Sequence, residues 1–405
     1  MSDTTKALSS PVSRRVFLQG ALATAIATKA SAMGFTPQHR FAYIGTYTGS
    51  DGNGQGIYLY EANPFTGELT LVKLAAAITD PSFILVSPSG RFLYANNEVS
   101  NFEGTSGSVN AFSIDPQTGE LTLIDTVSSA GSGPVYLSFD ATGRFIFVAN
   151  YGGGSVSVLP VEQDGALGNP IDVHTDAGEV GPTKATDAPA GSFAFSGHDA
   201  PHAHCIVPSP NNEFVLYTDL GQDRIYVYNF DAATGALSAA ATPYVSVPPG
   251  DGPRHLCFHP SGRWLYSIQE EASTVMVFRF DQSTGELDST QIISALPPGF
   301  KGSSFAAEVR ISSDGRFLYA SNRLEDSICV FAVGDEGELK FLSTAATRGD
   351  YTREFTIDPT GRFLYSCNQR SDNVTGYRIN SDTGGLQFIE QYIAVGTPTC
   401  LAFLP

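Results

Sequence analysis

The chain has 405 residues, of which 41 are glycine, 24 are proline and only 16% are charged. That composition favours many turns and short strands and argues against long solvent-facing helices. The formal net charge is −18 at pH 7, a surface that repels nucleic acid and anionic lipid, so an anionic ligand has to be met by a local cluster of arginines.

Residues 1–32 stand apart. Lys6, Arg14, Arg15 and Lys29 against Asp3 give them a charge of +3, which leaves −21 on the remainder. Arg14-Arg15 in "SRRVFLQG" precedes the mildly apolar "ALATAIATKASA", whose Ala-Ser-Ala at 30–32 offers small residues for cleavage. The pattern resembles a twin-arginine export signal and implies a periplasmic or secreted protein. Its apolar run is too short and weak for membrane insertion.

From residue 40 the chain repeats itself. "RFAYIGTYT" (40–48) opens a series of apolar strands that continues as "SPSGRFLYANNE" (87–98), "DATGRFIFVANY" (140–151), "SPNNEFVLYTDL" (209–220), "HPSGRWLYSIQE" (259–270), "SSDGRFLYASNR" (312–323) and "DPTGRFLYSCNQ" (358–369). All but the first begin with a Gly or Asn turn, the mark of a hairpin leading into a strand. A second strand of rough period-two alternation follows each, for example "GIYLYEA" (56–62) and "TVMVFRF" (274–280). A turn such as "TGEL" at 66, 118 and 284 comes next, and "DGAL" at 164 takes its place in the third unit. A short outer strand is expected to begin at each turn's leucine. A third strand type precedes the Gly turn, as in "HAHCIVPSP" (202–210) and "PRHLCFHP" (253–260), and its seventh copy is "PTCLAFLP" (398–405).

Seven units of four strands predict an all-β, seven-bladed β-propeller domain over 40–405. The first unit lacks its inner strand and the chain ends with a spare one, so 398–405 should complete the first blade and remove the open edge. Unit spacing is 46–53 residues except for 69 between Gly143 and Asn212. The excess is a Gly/Pro/Ala/Asp-rich loop at 175–200 that either covers the channel or lies over a blade edge. The five cysteines, Cys205, Cys257, Cys329, Cys367 and Cys400, are widely spaced. They read as buried unpaired thiols, with neither zinc nor haem attachment supported.

Aligning the units on their turn residue brings scattered charges together. Eight positions before it stand Ser82, Val135, His204, Arg254, Ala307 and Arg353, with Thr399 in the closing strand. Eight positions after it stand Glu98, Tyr151, Leu220, Glu270, Arg323 and Gln369. The start of one antiparallel strand lies beside the end of its neighbour, so both rings should surround one channel mouth. His202, two residues before His204, is expected on the same strand face. Arg310, Glu308 and His255 occupy the inner strands at other offsets. Ion pairs between blades are the structural alternative for Glu98 and Glu270. The repeated "Arg-Phe" after the turn and the recurrent Asn97, Asn150, Asn322 and Asn368 read as structural.

"YIGTYT", "ANNE", "VANYGGGSVSV", "HAH", "DLGQDRIYVY", "GPRHLCFHP" and "VRISSDGRFLYASNR" resemble the seven-bladed propeller lactonases, over essentially all of 40–405. That family includes cycloisomerase-type 6-phosphogluconolactonases and carboxy-cis,cis-muconate cyclases. The resemblance implies a site of His204 (or His202), Arg254, Glu270 and either Arg323 or Arg310. "SIQEE" at 267–271 departs from the family in lacking Asn before the glutamate, which leaves Glu271 as an alternative to Glu270. Catalytic roles are expected for Glu270, His204, Arg254 and Arg323, and substrate contacts for His202, Glu98, Arg353, Arg310 and His255. Lactone hydrolysis needs an activated water and donors for an oxyanion, and no metal or cofactor is required, with a cation held by a few channel carboxylates left open.

The leading expectation is a sugar-lactone hydrolase, 6-phosphogluconolactonase-like, acting on a small molecule as a monomer or weak dimer. A lactonising isomerase of the muconate type is the second. A non-catalytic propeller that binds a ligand or partner at its channel face is the third, because fold alone does not establish function.

Overall fold

The computed structural model describes residues 40–49, 52–185, 188–190, 192 and 197–405; the export signal expected at 1–32 lies outside them. The described residues form seven four-stranded antiparallel sheets and no helix. Six sheets take their strands in chain order, and the seventh is assembled from both ends of the ring. Its inner strand, Pro398–Phe403, pairs with Arg40–Thr46 from Ala42 opposite Phe403 to Thr46 opposite Pro398. The closing role expected for 398–405 is therefore seen directly, and blade 1 continues through Ile57–Ala62 and Leu69–Ala76.

The strands after the turns are largely buried, their polar ends included, because both of their faces are covered by neighbouring blades. Every residue of Phe145–Asn150, Phe214–Asp219, Trp264–Gln269, Phe317–Arg323 and Phe363–Asn368 is buried. Outer strands such as Leu339–Ala346 alternate instead, with one face in water.

The recurrent "Arg-Phe" and "Thr-Gly-Glu-Leu" motifs are two halves of one joint. Phe41, Phe92, Phe145, Phe214, Trp264, Phe317 and Phe363 each lie against the turn glycine of the next blade, at Gly119, Gly165, Gly235, Gly285, Gly337, Gly384 and Gly67. A Cβ at any of these glycines would come within 3.0 Å of the ring. Burying each aromatic contributes about 2–3 kcal/mol. Tyrosine hydroxyls on the same strands donate across the same joints, as in Tyr365 to Gly67 O (2.7 Å), Tyr94 to Gly165 O (2.9 Å) and Tyr266 to Gly337 O (3.1 Å). The post-turn arginines reach over too, Arg316 Nη2 donating to Ser381 O at 2.6 Å and Arg263 Nη2 to Asp335 O at 3.2 Å.

One outer strand departs from expectation. Six begin at their turn leucine, but Leu167 makes only an isolated bridge with Val161, and the outer strand of blade 3 is Asp172–Thr175. Pro170 intervenes, and a residue with no N–H interrupts a ladder. The five cysteines are unpaired; four are buried and Cys257 is half-buried. Burial pushes their thiols up, Cys329 to about 11 and Cys205 to about 12. The recurrent asparagines tie loops down, as where Asn150 Nδ2 donates to Ser129 O (3.1 Å) and Asn322 Nδ2 to Ala295 O (2.6 Å).

Candidate active site

Six of the seven inner strands break register at one place. The shifts fall between Pro134 and Tyr136, Ala203 and Cys205, Pro253 and His255, Ala306 and Val309, and Thr352 and Glu354, and opposite Gly45 and Thr46 in blade 1. The residues passed over are Val135, His204, Arg254, Ala307 with Glu308, Arg353 and Thr399. All but Glu308 belong to the ring found eight positions before the turn. A bulge leaves its extra residue unpaired and re-aims its side chain, which puts polar and charged groups at a mouth otherwise walled by sheet.

A cavity of about 490 Å³ opens there, lined by Glu98, Val135, Tyr151, Gly197, His204, Glu270, Phe305, Arg323, Leu324, Tyr351, Arg353 and Arg370. Seven of these belong to the two sequence-derived rings. Glu270 and Arg323 of this lining form a three-residue charge cluster with Arg254, which is buried behind them and does not itself line the cavity. Glu270 Oε2 lies 3.0 Å from Arg254 Nε and 2.7 Å from Arg323 Nη2. Arg254 and Arg323 are buried at 2% and 3% exposure, while the Glu270 side chain keeps 16%. Two buried cations on one carboxylate oxygen are tolerable because further acceptors help: Arg254 Nη1 donates to Ala307 O and Arg323 Nη2 to Ala306 O, each at 2.7 Å. Burial still lowers Arg254 to about 10, with the charge of Arg323 adding to the effect.

His204 borders this cluster. Its burial, then the charge of Arg254, hold it well below the usual histidine range, so it is a neutral imidazole. Its Nδ1 is buried without a hydrogen-bond partner among the described residues. Opposite, Tyr47 donates to Glu98 Oε2 at 2.8 Å, and Arg353 Nη2 stands 3.7 Å from the same oxygen.

Three expected contact residues do not line the cavity. His202 stacks on Tyr151 at 4.0 Å between ring centroids, and its nitrogens meet Tyr151 O and Asp199 Oδ1. The bulge between Ala203 and Cys205 cancels the period-two reasoning that grouped it with His204. His255 Nδ1 meets Glu308 Oε2 at 2.8 Å, behind Arg254. Arg310 Nη2 donates to Glu354 Oε1 at 2.7 Å and its Nε to Phe355 O at 2.9 Å, which commits it to a second charge cluster of the inner strands. Burial raises Glu308 and Glu354 in that cluster above the usual carboxylate range.

The adjacent glutamates part company. Glu270 faces the cavity, whereas Glu271 is 1% exposed and accepts from Gly197 N and from His198 Nδ1 (3.2 Å). His198 Nε2 meets Asp223 Oδ1 at 3.0 Å. The described parts of loop 175–200 reach both blade 4 and the cavity wall. Gly181 N donates to Gly221 O at 2.8 Å along blade 4, and Gly197 reaches the cavity wall.

The cavity residues missed in the sequence are Phe305, Tyr351, Leu324 and Arg370. The first two stand ten positions before their turn glycines and the last two nine after, just beyond the offsets compared. Extending the same alignment toward the mouth finds them. Among the described residues no group of three or more His, Cys, Asp or Glu side chains is placed to hold a metal ion.

Comparison with known proteins agrees with this architecture. The family model described as lactonase, 7-bladed beta-propeller, matches residues 41–403. A 6-phosphogluconolactonase of Bacillus subtilis is 32% identical over 363 residues, covering 89% of this chain and 97% of that protein. A putative 6-phosphogluconolactonase from Bacteroides fragilis superposes with a TM-score of 0.80 at 33% identity, over 91% of this chain and 99% of its own. A periplasmic gluconolactonase of Pseudomonas aeruginosa gives 0.79 at 32% identity, with the same coverage. A fold closed by its own last strand, a bulged ring of charged residues at one mouth and this span of similarity together place the chain in the seven-bladed β-propeller lactonase family.

Proposed function

We propose that the chain hydrolyses a sugar lactone to the open-chain acid, in the manner of 6-phosphogluconolactonase. The observation that carries this reading is Glu270, whose Oε2 is paired with Arg254 and Arg323 while its side chain keeps 16% exposure at the cavity. That exposure leaves the carboxylate able to accept a proton from water at the cavity. That water attacks the lactone carbonyl. Arg323, which lines the cavity, stabilises the oxyanion that forms. The tetrahedral intermediate collapses by breaking the ring C–O bond, and the proton held by Glu270 passes to the departing ring oxygen. His204, neutral at working pH, orients substrate as a hydrogen-bond partner without adding charge. Arg254 keeps the carboxylate in place.

Three guanidinium groups line the cavity, Arg323, Arg353 and Arg370, with Arg254 buried behind Glu270, against two carboxylates, Glu98 and Glu270. That local excess of positive charge on a chain of net −18 favours an anionic lactone. Action in the periplasm is part of this proposal; it rests on the arginine pair at 14–15 and on the location named for the Pseudomonas relative. No helix among the described residues is long and apolar enough to cross a membrane.

The test is proton release from glucono-δ-lactone and 6-phosphoglucono-δ-lactone near pH 6.5, where uncatalysed opening is slow. Turnover above buffer that falls on the order of 1,000-fold in Glu270→Gln, with the fold intact by circular dichroism, supports the reading. No acceleration of either lactone by the purified protein overturns it.

A further inference from the structure

Two cavity residues hold a backbone conformation that bulky side chains avoid: Leu324 at φ 66° and Tyr351 at φ 67°. Such strain costs on the order of 1–3 kcal/mol and persists where the surroundings impose it, often beside a ligand. At Tyr351 the surroundings are specific. Its N–H donates to Asp326 Oδ1 at 2.8 Å, and its carbonyl accepts from Gln369 N at 3.0 Å. Held this way, Tyr351 lines the cavity and meets two guanidinium groups over its ring, Arg370 at 3.8 Å and Arg323 at 5.4 Å from the centroid.

The four arginines differ in what answers them. Arg254 and Arg323 share Glu270, and Arg353 has Glu98. Arg370 is exposed at the rim and makes no ion pair among the described residues. Asp326 feels its charge only at longer range. Stacking on Tyr351 restrains this guanidinium while leaving its N–H edge open, which is the form in which arginine grips a planar or tetrahedral oxyanion by two hydrogen bonds. A restrained donor also loses less conformational entropy when it binds.

We propose that Tyr351 and Arg370 form a recognition subsite for an anionic substituent, phosphate or carboxylate, carried by the lactone away from its ring carbonyl, and that Arg370 sets the preference for charged over neutral substrates. This rests on the lactonase reading of the same cavity. Arg370 lies on the turn beyond Asn368 with its side chain exposed, and its hydrogen bond to the neighbouring loop, N–H to Asp350 O at 3.1 Å, is a backbone one that a substitution keeps.

The experiment compares kcat/KM of wild type, Arg370→Gln and Arg370→Lys on three substrates: glucono-δ-lactone, its 6-phosphate, and a glucarolactone bearing a carboxylate at the sixth carbon. Wild type should prefer the charged lactones. Arg370→Gln should lose about 10- to 100-fold on them and no more than about 3-fold on the neutral one, with Arg370→Lys between. A loss confined to the phosphorylated substrate assigns the subsite to phosphate; a loss on both charged substrates assigns it to negative charge in general. Equal losses on all three, or no preference in wild type, overturn the proposal. Should wild type open none of them, the lactonase reading fails separately. Calorimetric titration with 6-phosphogluconate then decides the subsite: binding by wild type that Arg370→Gln abolishes sustains it, and absent or unchanged binding refutes it.

Discussion

Arg254 Nη1 donates to His255 Nε2 at 3.2 Å, so the proton of His255 sits on Nδ1, facing Glu308 Oε2 at 2.8 Å. Arginine has no acceptor, and this fixes the tautomer. Burial, then the charge of Arg254, keeps His255 neutral well below the usual range. His255 therefore acts through Arg254 as a positioning residue. His255→Phe should lower kcat about 10-fold with KM changed less than about 2-fold, and His255→Gln should recover part of it. The pH profile of wild type should show no His255 limb. Loss of stability without a kcat effect would contradict this.

His198, between Asp223 and Glu271, gives a different pH signature. Burial opposes its charge, but hydrogen bonds to Asp223 and then Glu271 outweigh it and raise it to about 9. A histidine with a raised folded pKa contributes stability that is fully present below its unfolded value near 6.5 and lost as pH rises through about 9. The melting temperature of wild type should fall between pH 7 and 10 by an amount missing in His198→Gln. Parallel pH curves for the two proteins would refute the clamp.

Asp176 runs the other way. Its Oδ1 accepts from Tyr217 at 2.6 Å, while Oδ2 and Asp219 Oδ2 are both buried without a donor among the described residues. Burial, then the neighbouring Asp219 carboxylate, raises Asp176 well above the usual aspartate range. An acid that holds its proton more tightly when folded stabilises at low pH and gives that up as pH rises above about 4. Asp176→Asn should therefore melt higher than wild type at pH 8.5, with the gap closing toward pH 4.

The blade joints make a prediction about stability alone. Gly337 has φ 74° and faces the Trp264 ring. Gly337→Ala adds both a left-handed penalty and an overlap, and should cost about 2–4 kcal/mol by chemical denaturation. Wild-type turnover per folded molecule should survive it, because no joint residue touches the cavity.

Much of this was legible in the repeats, since every blade solves one packing problem with the same residues. The closing strand followed from counting units, and the two charged rings from a fixed offset. The bulges were not legible, because register depends on the partner strand. They are what aims Arg254, His204 and Arg353 at one mouth, and what sends His202 elsewhere. Tyr351 and Arg370 fell outside the offsets compared, on loops where a repeat loses its period. The outer strand of blade 3 yielded to Pro170, a local backbone constraint that overrode a motif shared by the other six.

Thr397 Oγ1 accepts from Asn53 N at 2.9 Å, across 344 residues of sequence. Blade 1 is thus a fastening rather than a unit like the others. On the ribosome, six blades can be complete while Arg40–Thr46 still waits with one edge bare. A nascent chain carries a sticky strand for nearly the whole of its synthesis and loses it in a single late step. Protection of that edge, by a chaperone or by speed, is a demand this architecture places on the cell that makes it.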